Sequence, residues 1–163
     1  MIAISDVSAV VPSTTSELEF RACRREDVEI SSISESLRLS NGVEFLGQKP
    51  LLRIPKIHNI RAETSLDFRQ FSWPEMRLEV LDHQVSISGN VEFFELTAEQ
   101  GGQINALENA AEQVEIRVNG NAELMLNVSH RLSGHIETGT VRYQGQPEID
   151  VTISENGTLE AIE

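Results

Sequence analysis

The sequence lacks long apolar runs, has a single cysteine and is poor in aromatic side chains. Phe, Trp and Tyr make up 5% of its 163 residues, and no apolar stretch approaches the roughly 18 residues of a membrane-spanning helix. Cys23 has no second cysteine for an intrachain disulfide. A helical membrane span and a disulfide-stapled small domain are therefore excluded. The core must be built from Val, Ile, Leu and the six Phe.

The first residues also lack the features of a secretion signal. Residues 1–6 contain no basic segment followed by an apolar run and a small-residue cleavage site. We therefore expect the chain to stay in the cytoplasm of the cell that makes it. Its length predicts one β-rich domain over residues 1–163.

Recognisable catalytic motifs are missing as well. The sequence has no glycine-rich phosphate loop, no G-x-S-x-G elbow and no H-E-x-x-H pair. His130 and His135 are five residues apart, so on one regular strand they face opposite sides and make a poor pair of metal ligands. We predict that the protein is not an enzyme, with no catalytic residue, no cofactor and no metal.

Basic residues are scarce in the second half of the chain. Residues 1–77 carry ten basic and eleven acidic residues, a net charge of −1, whereas residues 78–163 carry three and fifteen, a net charge of −12. Because phosphate contacts supply most nucleic-acid affinity, this balance argues against sequence-specific nucleic-acid binding. It is compatible with solubility or with binding of a basic protein partner.

What the sequence does contain is alternating apolar and polar runs around three Asn-Gly pairs, at 41–42, 119–120 and 156–157. Asn-Gly between alternating runs is the strongest short-range hairpin signal. Three-residue loops at 40–42, 119–121 and 155–157 place apolar residues opposite each other in all three cases, and the second puts Asn121 in the left-handed position. The pattern predicts an antiparallel β-sandwich or barrel.

One α-helix is predicted at about 97–113. Thr97 and Gln100 have the spacing of a capping box. Apolar residues then recur at three- and four-residue steps, as on one face of a helix: Ile104, Leu107, Ala110, Ala111 and Val114. No internal repeat of 20–50 residues is visible.

An extended arm is predicted at about 47–60, where two prolines stand among apolar residues. Loops with apolar residues and a fixed backbone often mediate contacts, although anchors buried in the core would have the same composition. The predicted interaction residues are Pro50, Leu51, Leu52, Ile54, Pro55, Ile57 and Trp73.

The order of these elements over residues 78–163 resembles the tail-tube fold of phages and of type VI secretion systems. The resemblance is carried by the strand pair Val85–Ser88 and Val91–Phe94, the helix beginning at Thr97, and the strands that follow it as far as Ile162. It implies a β-sandwich or barrel with one flanking helix, six copies in a ring, and stacked rings. An acidic lumen would then let DNA slide through a virion tail.

Two alternatives are a different virion or assembly component (a decoration protein, a terminator or a baseplate adaptor) and a monomeric acidic β-domain that binds a basic protein. In the assembly hypotheses the partners are further copies of the chain, probable neighbours in a ring, and other structural proteins. Long antiparallel edges need covering, and closed symmetric contacts are the usual remedy.

Overall fold

A stack of parallel β-strands forms the body of the molecule in the computed structural model. The structure describes residues 2–4, 9–12, 17–19, 29–33, 36–40, 51–54, 59–62 and 65–162, with side chains from Ile60 onward except at 155. The five long strands are β8 (Leu66–Val80), β9 (Gln84–Ala98), β10 (Gln103–Val118), β11 (Ala122–Gln144) and β12 (Glu148–Ala161). Each pairs in parallel with the next, which makes the body a β-solenoid.

Successive coils of the solenoid are 17 to 20 residues apart in sequence. Leu66 pairs with Val85, an offset of 19, and Ile104 pairs with Leu124, an offset of 20. Ala111 pairs with Val128, an offset of 17. Because the offset changes along each strand, the coils are similar in shape but irregular in length.

The core is the interior of this stack. Along each strand, side chains alternate between inside and outside, and the inward ones stack on their counterparts in the next coil. Two such columns are Trp73, Val91, Ala111 and Val128, and Met76, Phe94, Val114, Leu132 and Ile149. Most inward side chains in the middle coils are almost fully buried, and each contributes about 1.5–3 kcal/mol by leaving water.

Two glycines let neighbouring coils approach closely. Gly134 has a φ of 127°, and a Cβ built there would lie 2.0 Å from the Ile116 carbonyl oxygen of the coil beside it. Gly89 has a φ of 128° and meets the Phe71 carbonyl oxygen in the same way. Only glycine fits at such positions.

Seven short strands precede the stack. They are β1 (Ile2–Ile4), β2 (Ala9–Pro12), β3 (Glu17–Glu19), β4 (Glu29–Ile33), β5 (Ser36–Ser40), β6 (Leu51–Ile54) and β7 (Asn59–Ala62). β7 and β2 pair in parallel with β8, and β1 pairs with β7. β6 pairs with β2 in parallel and with β3 antiparallel, while β4 and β5 form a separate antiparallel pair.

The predicted helix at 97–113 is wrong. Thr97 belongs to the end of β9, residues 99–102 form a turn, and the rest of the segment is β10. In β10 the inward residues are Ile104, Ala106, Asn109, Ala111 and Val114. Register shifts at two places stretch the two-residue step to three, and these longer steps imitate helical periodicity. The described residues contain no helix, and hence none that could span a membrane.

The antiparallel sandwich or barrel is also wrong, although the all-β prediction agrees with the structure. A turn does form at 119–121, and Asn121 has a positive φ of 62°. The strands on either side are nevertheless parallel neighbours in successive coils, with Val118 beside Ile136. Asn-Gly at 156–157 lies inside β12, and residues 41–42 are outside the described residues.

The hairpin patterns failed because both architectures alternate inward and outward side chains. A local pattern of this kind sorts the faces of a strand without saying which strand pairs with it. The prediction of one domain over residues 1–163 stays a prediction.

Candidate functional site: an ion-paired outer face

Outward side chains of the five long strands form a flat, polar surface, which we call the charged face. It comprises the outward residues within 75–79 of β8, 93–97 of β9, 113–117 of β10, 131–135 of β11 and 148–152 of β12. The parallel register places these residues in columns that run across the coils. One column consists of Glu79, Thr97, Arg117, His135 and Thr152.

Ion pairs between neighbouring coils hold the arginines of this face in place. The Arg77 Nε lies 2.9 Å from Glu95, and its Nη2 lies 3.4 Å from Glu75. Arg117 is 4.0 Å from Glu95 and 3.5 Å from Glu115. Glu95 thus bridges two arginines from the coils on either side of it, and the side chains form a network rather than isolated pairs.

The face continues to both sides of this network. Arg61 on β7 pairs with Glu79 at 2.9 Å, and Arg131 on β11 pairs with Asp150 on β12. Each of these pairs joins adjacent strands. The charged face is therefore ordered by contacts within the protein before any ligand arrives.

A groove of about 410 Å³ lies on the charged face, which we call the charged groove. Its polar lining is Glu99, Glu115, Arg117, Asn119, His135 and Glu137, and its remaining lining is Ile116, Val118 and Gly134. The Arg117 side chain is 64% exposed, so its guanidinium can meet a ligand while still near Glu115. Carboxylates, an amide, an imidazole and a guanidinium supply both donors and acceptors.

A second, smaller groove of about 200 Å³ lies on another side of the coils, around Asp67, Ser86, Ser88, Asn105 and Glu108. Several of its polar groups already have partners in the chain. Asp67 accepts from Arg69 at 2.6 Å, Asn105 accepts from the Leu107 amide, and Ser88 donates to the Phe68 carbonyl. This groove is therefore the weaker candidate for a ligand site.

The predicted interaction residues do not come together on the charged face. Leu51, Leu52 and Ile54 belong to β6, which pairs with strands on both of its sides. Pro50, Pro55 and Ile57 lie outside the described residues. Trp73 is 6% exposed and packs edge-on against Phe71, with ring centroids 4.5 Å apart. A contact role for these residues stays a prediction.

The histidines weighed as metal ligands are also separated. His130 and His135 are both exposed, and only His135 lines the charged groove. His83 lies 3.1 Å from Asp82. In the part of the chain that the structure describes, no group of three or more His, Cys, Asp or Glu side chains is placed to hold a metal.

Sequence reasoning missed the charged face because its residues are distant in sequence. The signal that could have revealed it is charge complementarity at the coil spacing, as between Arg77 and Glu95 or between Arg142 and Glu160, both 18 residues apart. Opposite charges at neighbouring positions of paired strands attract. Recognising that spacing requires a repeat shorter than those sought.

Comparisons with known proteins agree with the solenoid architecture. Residues 82–147 match the model of a family described as "Putative auto-transporter adhesin, head GIN domain". No curated protein matched the sequence. A crystal structure of a "putative adhesin" from Bacteroides fragilis is similar with a TM-score of 0.67 and 16% identity, covering 99% of this chain and 91% of the other. Another, from Parabacteroides distasonis, has a TM-score of 0.56 and 14% identity, with the same coverage of 99% and 91%.

These findings correct the tail-tube prediction. The family match covers the coils that the resemblance had assigned to a strand pair, a helix and further strands, and the similar structures are described as adhesins from Bacteroides and Parabacteroides. The resemblance depended on a helix that is a strand in the structure. The other virion components and the acidic domain for a basic partner fit no better. The chain is similar, in its central coils, to an adhesin head domain.

Proposed function

We propose that this chain is a non-catalytic recognition module of adhesin type, which binds a polar ligand on a cell or matrix surface through the charged groove. The observation that carries the proposal is the groove on an outer face already ordered by ion pairs. The described name of the matching family and of the similar structures supports this class of function.

The proposal rests on preorganisation. A ligand that binds ordered side chains loses less free energy to the ordering of the site. Arg117 lies near two carboxylates on adjacent strands, and the register places it beside His135. Both side chains are exposed at the groove. They are the donors that we expect to contact a ligand's oxygen atoms.

The ligand class is a polar surface group with several oxygen atoms. Glu99, Glu115 and Glu137 would accept hydrogen bonds from hydroxyl groups, and Arg117 would donate to oxygens. An adhesin-type role requires the chain to reach a cell surface. The expectation that it stays in the cytoplasm remains a prediction, as does the absence of catalysis.

The test compares binding of three purified chains to a printed glycan array and to immobilised fibronectin and collagen. The chains are the wild type, a groove variant with Arg117→Ala and His135→Ala, and a control with Arg142→Ala. Arg142 pairs with Glu160 outside the groove, at 3.1 Å. We expect the wild type and the control to bind the same probe and the groove variant to lose at least tenfold in affinity, which corresponds to about 1.4 kcal/mol.

Two results contradict the proposal. One is a folded wild-type chain that binds none of these probes. The other is binding that the groove variant retains at the level of the Arg142→Ala control. Circular dichroism of all three chains shows whether a loss of binding comes from unfolding.

A further inference from the structure

The last coil of the solenoid presents apolar side chains to solvent. β12 is the end of the strand order and pairs with β11 alone among the described strands. Ile149 and Ile153 are 41% and 45% exposed, and they are the large hydrophobic residues that the described part of the chain leaves exposed. Both point along the inward columns, so the coil that would cover them is missing from this chain's described residues.

We propose that a second copy of the chain covers this end, with β12 pairing antiparallel to β12 of the copy about a twofold axis through Val151. Such an interface is self-complementary, because each copy offers the same surface. It would satisfy the free edge of β12 and bury the exposed isoleucines in one step. The proposal is independent of the ligand assigned to the charged groove.

The register about Val151 sorts both faces of the strand. It places Ile149 opposite Ile153 of the second copy, and Val151 opposite its own counterpart. These three inward residues therefore meet each other. On the outward face, Asp150 lies opposite Thr152. No carboxylate in this register lies directly opposite another.

Other registers fail on charge or on side-chain direction. An axis through Asp150 would place two carboxylates directly opposite each other, which is destabilising. An axis through Thr152 would leave Ile149 without an apolar partner, and an axis between two residues would mix inward and outward side chains.

Charge on the chosen register is neutralised within each copy. Asp150 would lie diagonally across from its own counterpart, but each Asp150 is paired with Arg131 of its own chain. The self-pairing therefore needs no additional cation. Shape, polarity and charge thus favour one arrangement of the two copies.

The first experiment is a charge exchange followed by sedimentation velocity. We expect the wild type to be a dimer, and Ile149→Lys and Ile153→Asp each to be monomeric, because each homodimer would bury two unpaired charges. Mixing the two variants should restore a dimer, since the substituted positions 149 and 153 then face each other with opposite charges. Ala110→Lys, at an exposed site in β10, is the control and should remain dimeric.

The second experiment tests the axis itself by disulfide formation in a Cys23→Ser background. Val151→Cys should cross-link two copies under oxidation, because paired Cα atoms in an antiparallel ladder lie about 4.5–5.5 Å apart. Ile149→Cys is the matched control. Its counterpart would lie four residues away along the ladder, roughly 13 Å, which is beyond disulfide reach.

Three results would overturn the proposal. A wild-type chain that remains monomeric at its highest soluble concentration shows that no second copy covers the end. Growth into filaments indicates head-to-tail stacking instead of a closed twofold pair. Equal cross-linking of Val151→Cys and Ile149→Cys shows that the axis does not pass through Val151.

Discussion

The middle and the last coils of the solenoid contain the same kind of side chain in very different surroundings. Ile136 and Ile153 are neighbours in one inward column, on β11 and β12. Ile136 is fully buried, because coils lie on both sides of it, whereas Ile153 is 45% exposed. Residue type and local alternation are the same at the two positions. Burial in this fold is therefore decided by the neighbouring coil and not by the strand itself.

The comparison also shows how a repeat fold distributes its stability. Each coil contacts mainly the coils on either side, so the total approximates a sum of coil and interface contributions. A middle coil has two interfaces, and the last coil has one among the described strands. Substitutions should cost more in the middle coils.

The largest expected effect comes from truncating the buried isoleucine. Ile136→Ala should lower the free energy of unfolding by about 4 kcal/mol, because it opens a cavity between two coils. Ile153→Ala should cost under about 1 kcal/mol, since its side chain is already half exposed. Urea unfolding at low protein concentration measures both without a contribution from self-association. Equal losses would show that the last coil is covered within the chain.

A smaller effect is expected where neighbouring backbones meet. Gly134→Ala should cost about 3 kcal/mol, from strain at a φ of 127° and from the clash with the Ile116 carbonyl. Gly101→Ala is the control, because its φ is 89° but no atom lies within 4 Å of an added Cβ. It should cost about 1 kcal/mol. Thermal unfolding of both variants checks the difference, and similar melting temperatures would contradict the close approach of the coils.

The smallest effect is expected on the charged face. Arg77 contacts two carboxylates, whereas Arg142 contacts Glu160. Arg77→Ala should cost about 1 kcal/mol and Arg142→Ala about 0.5 kcal/mol or less, because all these side chains are partly exposed to water. Both costs should shrink at high salt. Unfolding measured at low and high ionic strength tests this, and a cost at Arg77 that salt does not change would argue against an electrostatic origin.

Part of the fold could be predicted from sequence, because alternation is a property of each strand alone. The runs around 119–121 predict strands on both sides of a turn, and the structure has both. The pairing of those strands could not be predicted in the same way, because Val118 meets Ile136 in the next coil instead of Ala122 across the turn. The irregular steps at Ile104, Ala106 and Asn109 were taken for a helix for the same reason.

The candidate site was beyond local reasoning. Arg117 and His135 are 18 residues apart, and only the register of β10 and β11 makes them neighbours. Attention to loops and prolines selected Trp73, whose ring is buried against Phe71. Apolar side chains near a proline fit a contact loop and a core equally well.

The sequence by itself determined that the chain is rich in β-strands, that its second half is strongly acidic, and that Asn121 takes a left-handed conformation at a turn. These properties depend on composition and on the preferences of single residues. Only the tertiary structure decided that the strands stack in parallel, that Ile136 is buried while Ile153 is exposed, and that Glu95 bridges two arginines. The physical reason is that each of these depends on the register between coils 17 to 20 residues apart.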